Sequence, residues 1–174
     1  MTPILILFLT IILLIAAITD IRFQKIPNWL TYPAMILAIT YHTGMNGAGG
    51  LLFSVEGLGL GTAIWLLPYI MGGMGAGDAK LMGAVGALIG PKEVFIASLF
   101  TAVTGGIYAL IILALHGYLK ENAKRYGIML KTFLLTRNLV YIPPSERKNN
   151  PKLCYGIAIA LGTLTSLFWR HLLK

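Results

Sequence analysis

Long apolar stretches separated by short polar segments run through this chain of 174 residues. A helix that crosses a membrane needs about 20 mostly apolar residues, and by that measure the pattern predicts five full spans and one short span. We place them at residues 3–19, 29–43, 51–71, 77–90, 94–119 and 153–169. The fourth is too short for an ordinary lipid-facing span, so we expect it to be buried among the other helices or to cross the bilayer only in part. The predicted fold is an all-α membrane protein with about six transmembrane helices.

Two short polar segments separate the first three spans. The segment 20–28 contains Arg22 and Lys25, and Pro27 prevents a helix from continuing through it. Asn28 can cap the second span, because its side-chain oxygen can accept a backbone N–H of the first helical turn. The segment 44–50 is polar and rich in glycine, which predicts a loop before the third span.

The longest polar segment, 120–152, holds eight of the fourteen basic residues. In its first part, 122–140, cationic positions alternate with apolar ones, which is typical of an amphipathic helix lying on a membrane surface. The basic residues of such a helix are expected to bind anionic lipid headgroups. The sequence therefore predicts one amphipathic surface helix in addition to the membrane spans.

The composition agrees with a membrane protein, since 57% of the residues are hydrophobic and only 11% are charged. The net charge of +8 comes from Lys and Arg residues that lie between apolar segments, which indicates membrane orientation and argues against nucleic-acid binding. The single cysteine, Cys154, excludes a disulfide within these residues and a multi-cysteine zinc cluster. No metal or other cofactor is predicted.

The distribution of basic residues predicts the orientation of the spans. Lys and Arg are retained on the cytoplasmic side, and six spans place eleven of them on one side against three on the other. Both termini are then expected outside. The same alternation places Asp20, after the first span, and Asp78, at the start of the fourth, on one cytoplasmic face of the inner membrane.

Asp20 and Asp78 are the acidic residues with the strongest functional signal among six in the chain. Asp78 lies in a glycine-dense apolar run, where Gly75 and Gly77 leave room for another group to reach its side chain. Two carboxyl groups brought close together cannot both ionise cheaply, so one keeps a proton. Such a pair can activate a water and protonate a leaving amine, as aspartic peptidases do.

Other interpretations of these acids remain open at this point. Asp20 can simply end a helix near Arg22 and Lys25, and Asp78 can cap the fourth span or pair with Lys80. A proton-coupled or solute-coupled carrier would use the same two acids as relays. A third acid, Glu56, is expected to be hydrogen-bonded inside the bundle or to reach the membrane interface, without a catalytic role.

The segment Gly75-Ala-Gly-Asp78 resembles the Gly-x-Gly-Asp signature of the type IV prepilin peptidases, a family of intramembrane aspartic peptidases. Three further segments resemble the same family. They are Asp20-Ile-Arg22 followed by Ile26-Pro-Asn28, the pair Lys80-Leu81 after the second aspartate, and the C-terminal run Tyr155–Gly162. The resemblance covers nearly the whole chain.

The resemblance implies an aspartic endopeptidase with Asp20 and Asp78 as its catalytic residues. The implied substrate is a pilin or pseudopilin precursor, from which the enzyme removes a short basic leader peptide at the cytoplasmic face. Four residues are candidates for binding substrate or supporting the active site: Arg22, Gly75, Gly77 and Lys80. For Arg22 and Lys80, a simple role as interfacial charges is an equal alternative.

The chain departs from the family pattern at two positions, because Cys154 and Ile157 stand where the family often has proline.

The bifunctional members of this family also carry an N-terminal region with paired Cys-x-x-Cys motifs and methylate the new N-terminus. The present chain has one cysteine, and its first span leads directly to Asp20. It resembles the short, peptidase-only members of tight-adherence (Flp-type) pilus systems, and an archaeal or pseudopilin-processing relative is the alternative. We therefore expect residues 1–174 to form a single integral-membrane peptidase domain without a separate methyltransferase domain.

Overall fold

The computed structural model describes residues 3–115, 128, 129, 132 and 154–172, and over these residues it contains helices and no strand. The helices are α1 (Pro3–Phe23), α2 (Asn28–Ile70), α3 (Ala76–Ile89), α4 (Pro91–Leu115) and α5 (Tyr155–Leu172). The predicted all-α class is thus confirmed. Within the described ranges, three helical stretches are long and apolar enough to cross a membrane, namely α1, α2 and residues Pro91–Ile112 of α4.

The described residues up to Gly105 and from Cys154 onwards form one compact unit, and those of 106–152 belong to a second. The predicted surface helix, 122–140, falls almost wholly outside the described residues. Both aspartates singled out by the sequence lie in the first unit.

The first half of α2 runs alongside α3 in the same direction. At the start of α2, Asn28 Oδ1 accepts a hydrogen bond from the Lys80 Nζ atom of α3 at 2.9 Å. Near its end, His42 Nε2 lies 3.0 Å from the Leu88 carbonyl oxygen of α3. The helix then breaks at Gly47, whose φ of 59° is a conformation that favours glycine.

The second half of α2 returns along α3 in the opposite direction. Ser54 Oγ donates to the Ala87 carbonyl oxygen at 2.9 Å, and further along the chain Gly61 packs against the backbone of Met82. The two halves of α2 therefore form an antiparallel hairpin that holds α3. The prediction of a loop over residues 44–50 is wrong in its length. The chain reverses at Gly47, and the flanking residues stay helical.

The short helix α3 is the centre of the first unit. As expected for a helix of 14 residues, it is enclosed by others, and every residue from Leu81 to Ile89 is buried. Gly57 of α2 and Gly86 of α3 pack backbone against backbone, so that a Cβ atom on either would overlap the carbonyl oxygen of the other. Because glycine has no Cβ, the helices can approach closely enough for this contact.

Helix α1 extends further than the sequence predicts. Asp20 does not end the helix but lies inside its last turn, and the helix continues to Phe23. The Gln24 backbone N–H closes the end by donating to the Asp20 carbonyl oxygen at 2.8 Å, with Gln24 at a φ of 51°. This is the single-bond αL form of a helix C-terminus, with glutamine where glycine is usual.

Candidate active site

Asp20 is held by the first turn of α5. Its side chain is only 6% exposed, and its Oδ2 atom accepts the Gly156 backbone N–H at 2.8 Å. The first N–H groups of a helix have no partner within the helix, so an incoming carboxylate satisfies one of them. The backbone N–H at the start of α5 therefore orients this carboxyl group.

Gly156 permits this contact because it lacks a side chain. A Cβ atom at this position would lie 3.0 Å from both Cβ and Oδ2 of Asp20. The Cys154 thiol approaches the Asp20 carbonyl oxygen at 3.8 Å, so two neighbouring positions at the start of α5 contact the same residue. Glycine at 156 therefore sets the distance between α5 and Asp20.

Asp78 is oriented by its own helix terminus. Its Oδ2 atom accepts the Gly75 backbone N–H at 3.0 Å, and its own N–H donates to the Gly75 carbonyl oxygen at 3.1 Å. The side chain is 7% exposed. Asp78 does cap the fourth predicted span, as one interpretation proposed, but it forms no ion pair with Lys80 among the described contacts. Capping leaves one oxygen of this carboxyl group for other partners.

In both aspartates the second oxygen, Oδ1, has no hydrogen bond within the described residues. The fully buried side-chain atoms that lack a partner in this part of the chain are threonine hydroxyls, and neither Oδ1 is among them. Each carboxyl group is thus fixed through Oδ2 by one backbone amide, while its Oδ1 keeps some access to solvent. This arrangement suits carboxyl groups that must be oriented and still reach a water or a peptide.

The loop between α1 and α2 brings the two aspartates to the same end of the unit. Ile26 is buried and packs against Gly77, where an added Cβ atom would lie 3.0 Å from the Ile26 Cβ. Asp20 and Asp78 are near enough to interact electrostatically. No hydrogen bond joins their carboxyl groups in the structure as described. The two predicted residues therefore lie at the same end of the unit, with no hydrogen bond between them in the part of the chain that the structure describes.

Lys80 is directed away from Asp78. Its ammonium group donates to Asn28 Oδ1 and lies 5.1 Å from the centre of the Tyr32 ring, both at the start of α2. The prediction that Asn28 caps α2 is wrong: Pro27 occupies the N-cap position, and no side chain caps this terminus. Lys80 instead connects the N-terminal part of α3 to the start of α2.

The other predicted support residues have different surroundings. Gly75 supplies the amide that holds Asp78, and Gly77 supplies the contact with Ile26. Arg22 is exposed in the last turn of α1 and has no hydrogen bond or ion pair with the described residues. The two glycines thus contact the residues of the site directly. Arg22 lies two residues after Asp20 with its side chain exposed.

Sequence reasoning did not single out two residues at the site. Gly156 holds Asp20, and the half-buried Tyr155 interacts electrostatically with Asp78. The available signal was the resemblance of Tyr155–Gly162 to a family segment. Within the described ranges, no three His, Cys, Asp or Glu side chains are grouped as metal ligands.

A model of the type IV leader peptidase family matches residues 7–110, a range that includes both aspartates but not α5. A "Prepilin leader peptidase/N-methyltransferase" of Bacillus subtilis (strain 168) is 33% identical over 107 residues, which cover 56% of this chain and 40% of that protein. A protein of the same name from Xanthomonas campestris pv. campestris is 36% identical over 99 residues, covering 51% and 34% respectively.

The chain spans less than half the length of these two relatives. No solved structure matches the chain. The family match nevertheless extends over more than half of the sequence and contains the Gly-x-Gly-Asp segment around Asp78. The chain therefore belongs to the type IV leader peptidase family.

Proposed function

We propose that this protein is an intramembrane aspartic endopeptidase that removes the short basic leader peptide from type IV pilin-like precursors. The observation that carries the proposal is the matched anchoring of Asp20 and Asp78. In each, Oδ2 accepts one backbone amide, and Oδ1 has no hydrogen bond to the residues that the structure describes. Family membership supports the peptidase, and the printed name of the relatives supports the substrate class.

In the proposed reaction, the two carboxyl groups act on one water and one peptide bond. The ionised aspartate accepts a proton from the water, which attacks the peptide carbonyl carbon. The protonated aspartate donates a hydrogen bond to the carbonyl oxygen and polarises it. The proton taken from the water then passes to the amine nitrogen as the C–N bond breaks, which leaves a carboxylic acid and a free amine. The backbone amides of Gly75 and Gly156 keep both carboxyl groups oriented through these steps.

This chemistry requires the two carboxyl groups to approach each other across one water. The segment before α3 has a suitable hinge, since Gly72 has a φ of 74° in the turn that precedes this helix. We propose that substrate draws the ends of α1 and α3 together, while the tightly packed glycine contacts between α2 and α3 stay in place.

The proposed arrangement in the membrane has about six spans. They are α1, the two arms of α2, the short α3, α4 and α5, with the active site on the cytoplasmic side of the inner membrane and the predicted surface helix bound to anionic lipid on that side. We further propose that residues 1–174 act as one peptidase domain. The antiparallel hairpin of α2 supports counting its arms separately.

Reporter fusions test this topology. Fusions at Gln24 and Ser145 are expected to report cytoplasm, and fusions at Asn46 and Lys174 the outside, because the basic residues set the orientation. The measurement is the paired activity of alkaline phosphatase and green fluorescent protein fused at each position. A cytoplasmic signal at Lys174 would contradict the six-span arrangement.

Co-expression with a pilin precursor tests the activity itself. The precursor should lose its leader only when the peptidase is present, and sequencing of the product should give one new N-terminus immediately before the hydrophobic segment. Intact precursor in the presence of a folded, membrane-inserted protein would contradict the proposal. The alternative of a coupled carrier has no support from the comparisons.

A Gly156→Ala variant tests the role of the start of α5. The added methyl group would press on Asp20 at 3.0 Å and displace either the carboxyl group or the helix, so we expect processing to fall by about tenfold or more. The matched control is Gly106→Ala, because nothing lies within 4 Å of an added Cβ at that position. Equal processing by the two variants would show that the close packing of residue 156 against Asp20 does not matter to the reaction.

A further inference from the structure

A cavity of about 570 Å³ lies at the end of the unit away from the aspartates. Its lining includes Leu5 at the start of α1, Ile89 at the end of α3 and Arg170 near the end of α5. Ile89 follows Asp78 by about three helical turns, which corresponds to about 16 Å along the axis. The cavity is therefore a separate site, with a volume within the range of about 300–1,000 Å³ that is usual for small-molecule pockets.

The charged side chains that line the cavity carry a net positive charge. Arg170 Nη1 lies 3.4 Å from Glu93 Oε1, and this ion pair leaves other guanidinium donors available. Lys92 also lines the cavity and has no ion pair with the described residues. Two cations against one acid leave one net positive charge, which matches the single negative charge of a phosphate diester.

The start of α4 adds donors at the same place. Its first residues, Pro91, Lys92 and Glu93, all line the cavity, and Val94 is the first to donate its N–H to a preceding carbonyl, that of Gly90 at 3.0 Å. The N–H groups of Lys92 and Glu93 therefore have no helical partner. Such free amides at a helix N-terminus favour a phosphate group.

A buried histidine adds an acceptor to these donors. His42 is 9% exposed, lines the cavity, and contacts the rings of Tyr41 and Phe53 at centroid distances of 5.4 and 5.0 Å. Its Nε2 atom faces the Leu88 carbonyl oxygen, which can only accept, so Nε2 carries the hydrogen. In the neutral ring Nδ1 is then an acceptor, and no hydrogen bond within the described residues uses it. A ligand hydroxyl would satisfy it.

The remaining walls are apolar and open towards the surface of the unit. Leu88 and Ile89 are buried beneath the cavity, and Phe53 remains 39% exposed beside it. A ligand with a charged phosphate, a free hydroxyl and an attached hydrocarbon portion would match all parts of this lining. From these observations we propose that the cavity binds the headgroup of an anionic phospholipid that carries a hydroxyl, of the phosphatidylglycerol type.

Lipid titration of the purified full-length protein in non-ionic detergent tests this proposal. Short-chain phosphatidylglycerol should raise the thermal unfolding midpoint saturably, because a ligand that binds only the folded state stabilises it. Phosphatidylcholine with the same chains, and glycerol phosphate without chains, serve as comparisons. An equal saturable shift with phosphatidylcholine would overturn the charge selectivity, and an equal shift with glycerol phosphate would show that the site takes a soluble anion and not a lipid.

Matched variants locate the binding in this cavity. Lys92→Gln should weaken the apparent Kd for phosphatidylglycerol by about tenfold, since a hydrogen bond to a charged group is lost. Lys25→Gln, an equal change of charge at an exposed position near the other end of the unit, should leave the Kd unchanged. Equal behaviour of these two variants would overturn the assignment.

Glu93 and Arg170 provide a test with opposite signs. Glu93→Gln frees Arg170 from its ion pair and should tighten binding severalfold, whereas Arg170→Gln should weaken it. Because Glu93→Gln keeps every proposed donor, it remains informative even when Arg170→Gln reduces folding. Unchanged or weaker binding by Glu93→Gln would contradict the proposal. The readout is binding, so the result does not depend on the proposed peptidase activity.

Discussion

Asp20→Asn and Asp78→Asn are each expected to abolish leader processing, with a loss of at least about a thousandfold in rate. An asparagine can still accept the Gly156 or Gly75 amide through its side-chain oxygen, so the hydrogen bond that orients the side chain can persist. It cannot exchange a proton with water or with the leaving amine. The measurement is conversion of a co-expressed precursor, compared at equal amounts of membrane-inserted peptidase.

The double variant is expected to be no less active than either single variant, because members of one catalytic unit fail non-additively. Glu56→Gln is the control, since Glu56 is exposed on the second arm of α2 and should retain processing. Substantial turnover by Asp20→Asn or Asp78→Asn would remove the basis of the proposed mechanism. Loss of turnover in Glu56→Gln would show that a third acid takes part.

Gly57→Ala is expected to destabilise the protein by about 1–3 kcal/mol, which is usual for overpacking a well-packed core. An added Cβ atom would overlap the Gly86 carbonyl oxygen, which belongs to helical backbone and cannot rotate away. Helices α2 and α3 would have to separate along the contact that holds the centre of the unit. The measurement is the thermal unfolding midpoint in detergent, where a decrease of several degrees is expected.

Gly59→Ala is the matched control two residues further along the same helix. Nothing lies within 4 Å of a Cβ atom at this position, so the substitution meets no neighbour. Replacing glycine by alanine inside a helix is expected to stabilise it by about 0.5–1 kcal/mol. The two variants should therefore shift the midpoint in opposite directions. A shift of the same sign and size would show that the contact between Gly57 and Gly86 is not a determinant of stability.

The sequence predicted the helical class and most helix positions because long apolar segments have a direct physical cause. Burying backbone in a membrane requires helices of a certain length, and this requirement marks each segment locally. The short predicted span 77–90 corresponds closely to α3, and its burial was predicted from its length and glycines. The ends were less accurate: α1 continues past Asp20, and α2 remains helical up to both sides of Gly47.

The two aspartates could also be found from the sequence. A carboxyl group in apolar surroundings is costly, which makes Asp20 and Asp78 candidates for a functional site. The distribution of basic residues predicts that both lie at one membrane face. The resemblance to the prepilin peptidases then gave these acids a role, and the family match over residues 7–110 confirms the family. The roles of individual residues within the site remain proposals.

The sequence by itself determined the apolar segments, the isolated acids and the family, because each is expressed in local residue types. Only the tertiary structure decided that the backbone amide of Gly156 donates to the Asp20 side chain. It also decided that Asn28 accepts a hydrogen bond from Lys80 instead of capping α2, and that His42 and Arg170 line one cavity. These contacts join positions far apart in the chain. They depend on how the helices pack. Every residue except proline has a backbone N–H, so the residue type does not show which amide donates to a distant carboxylate.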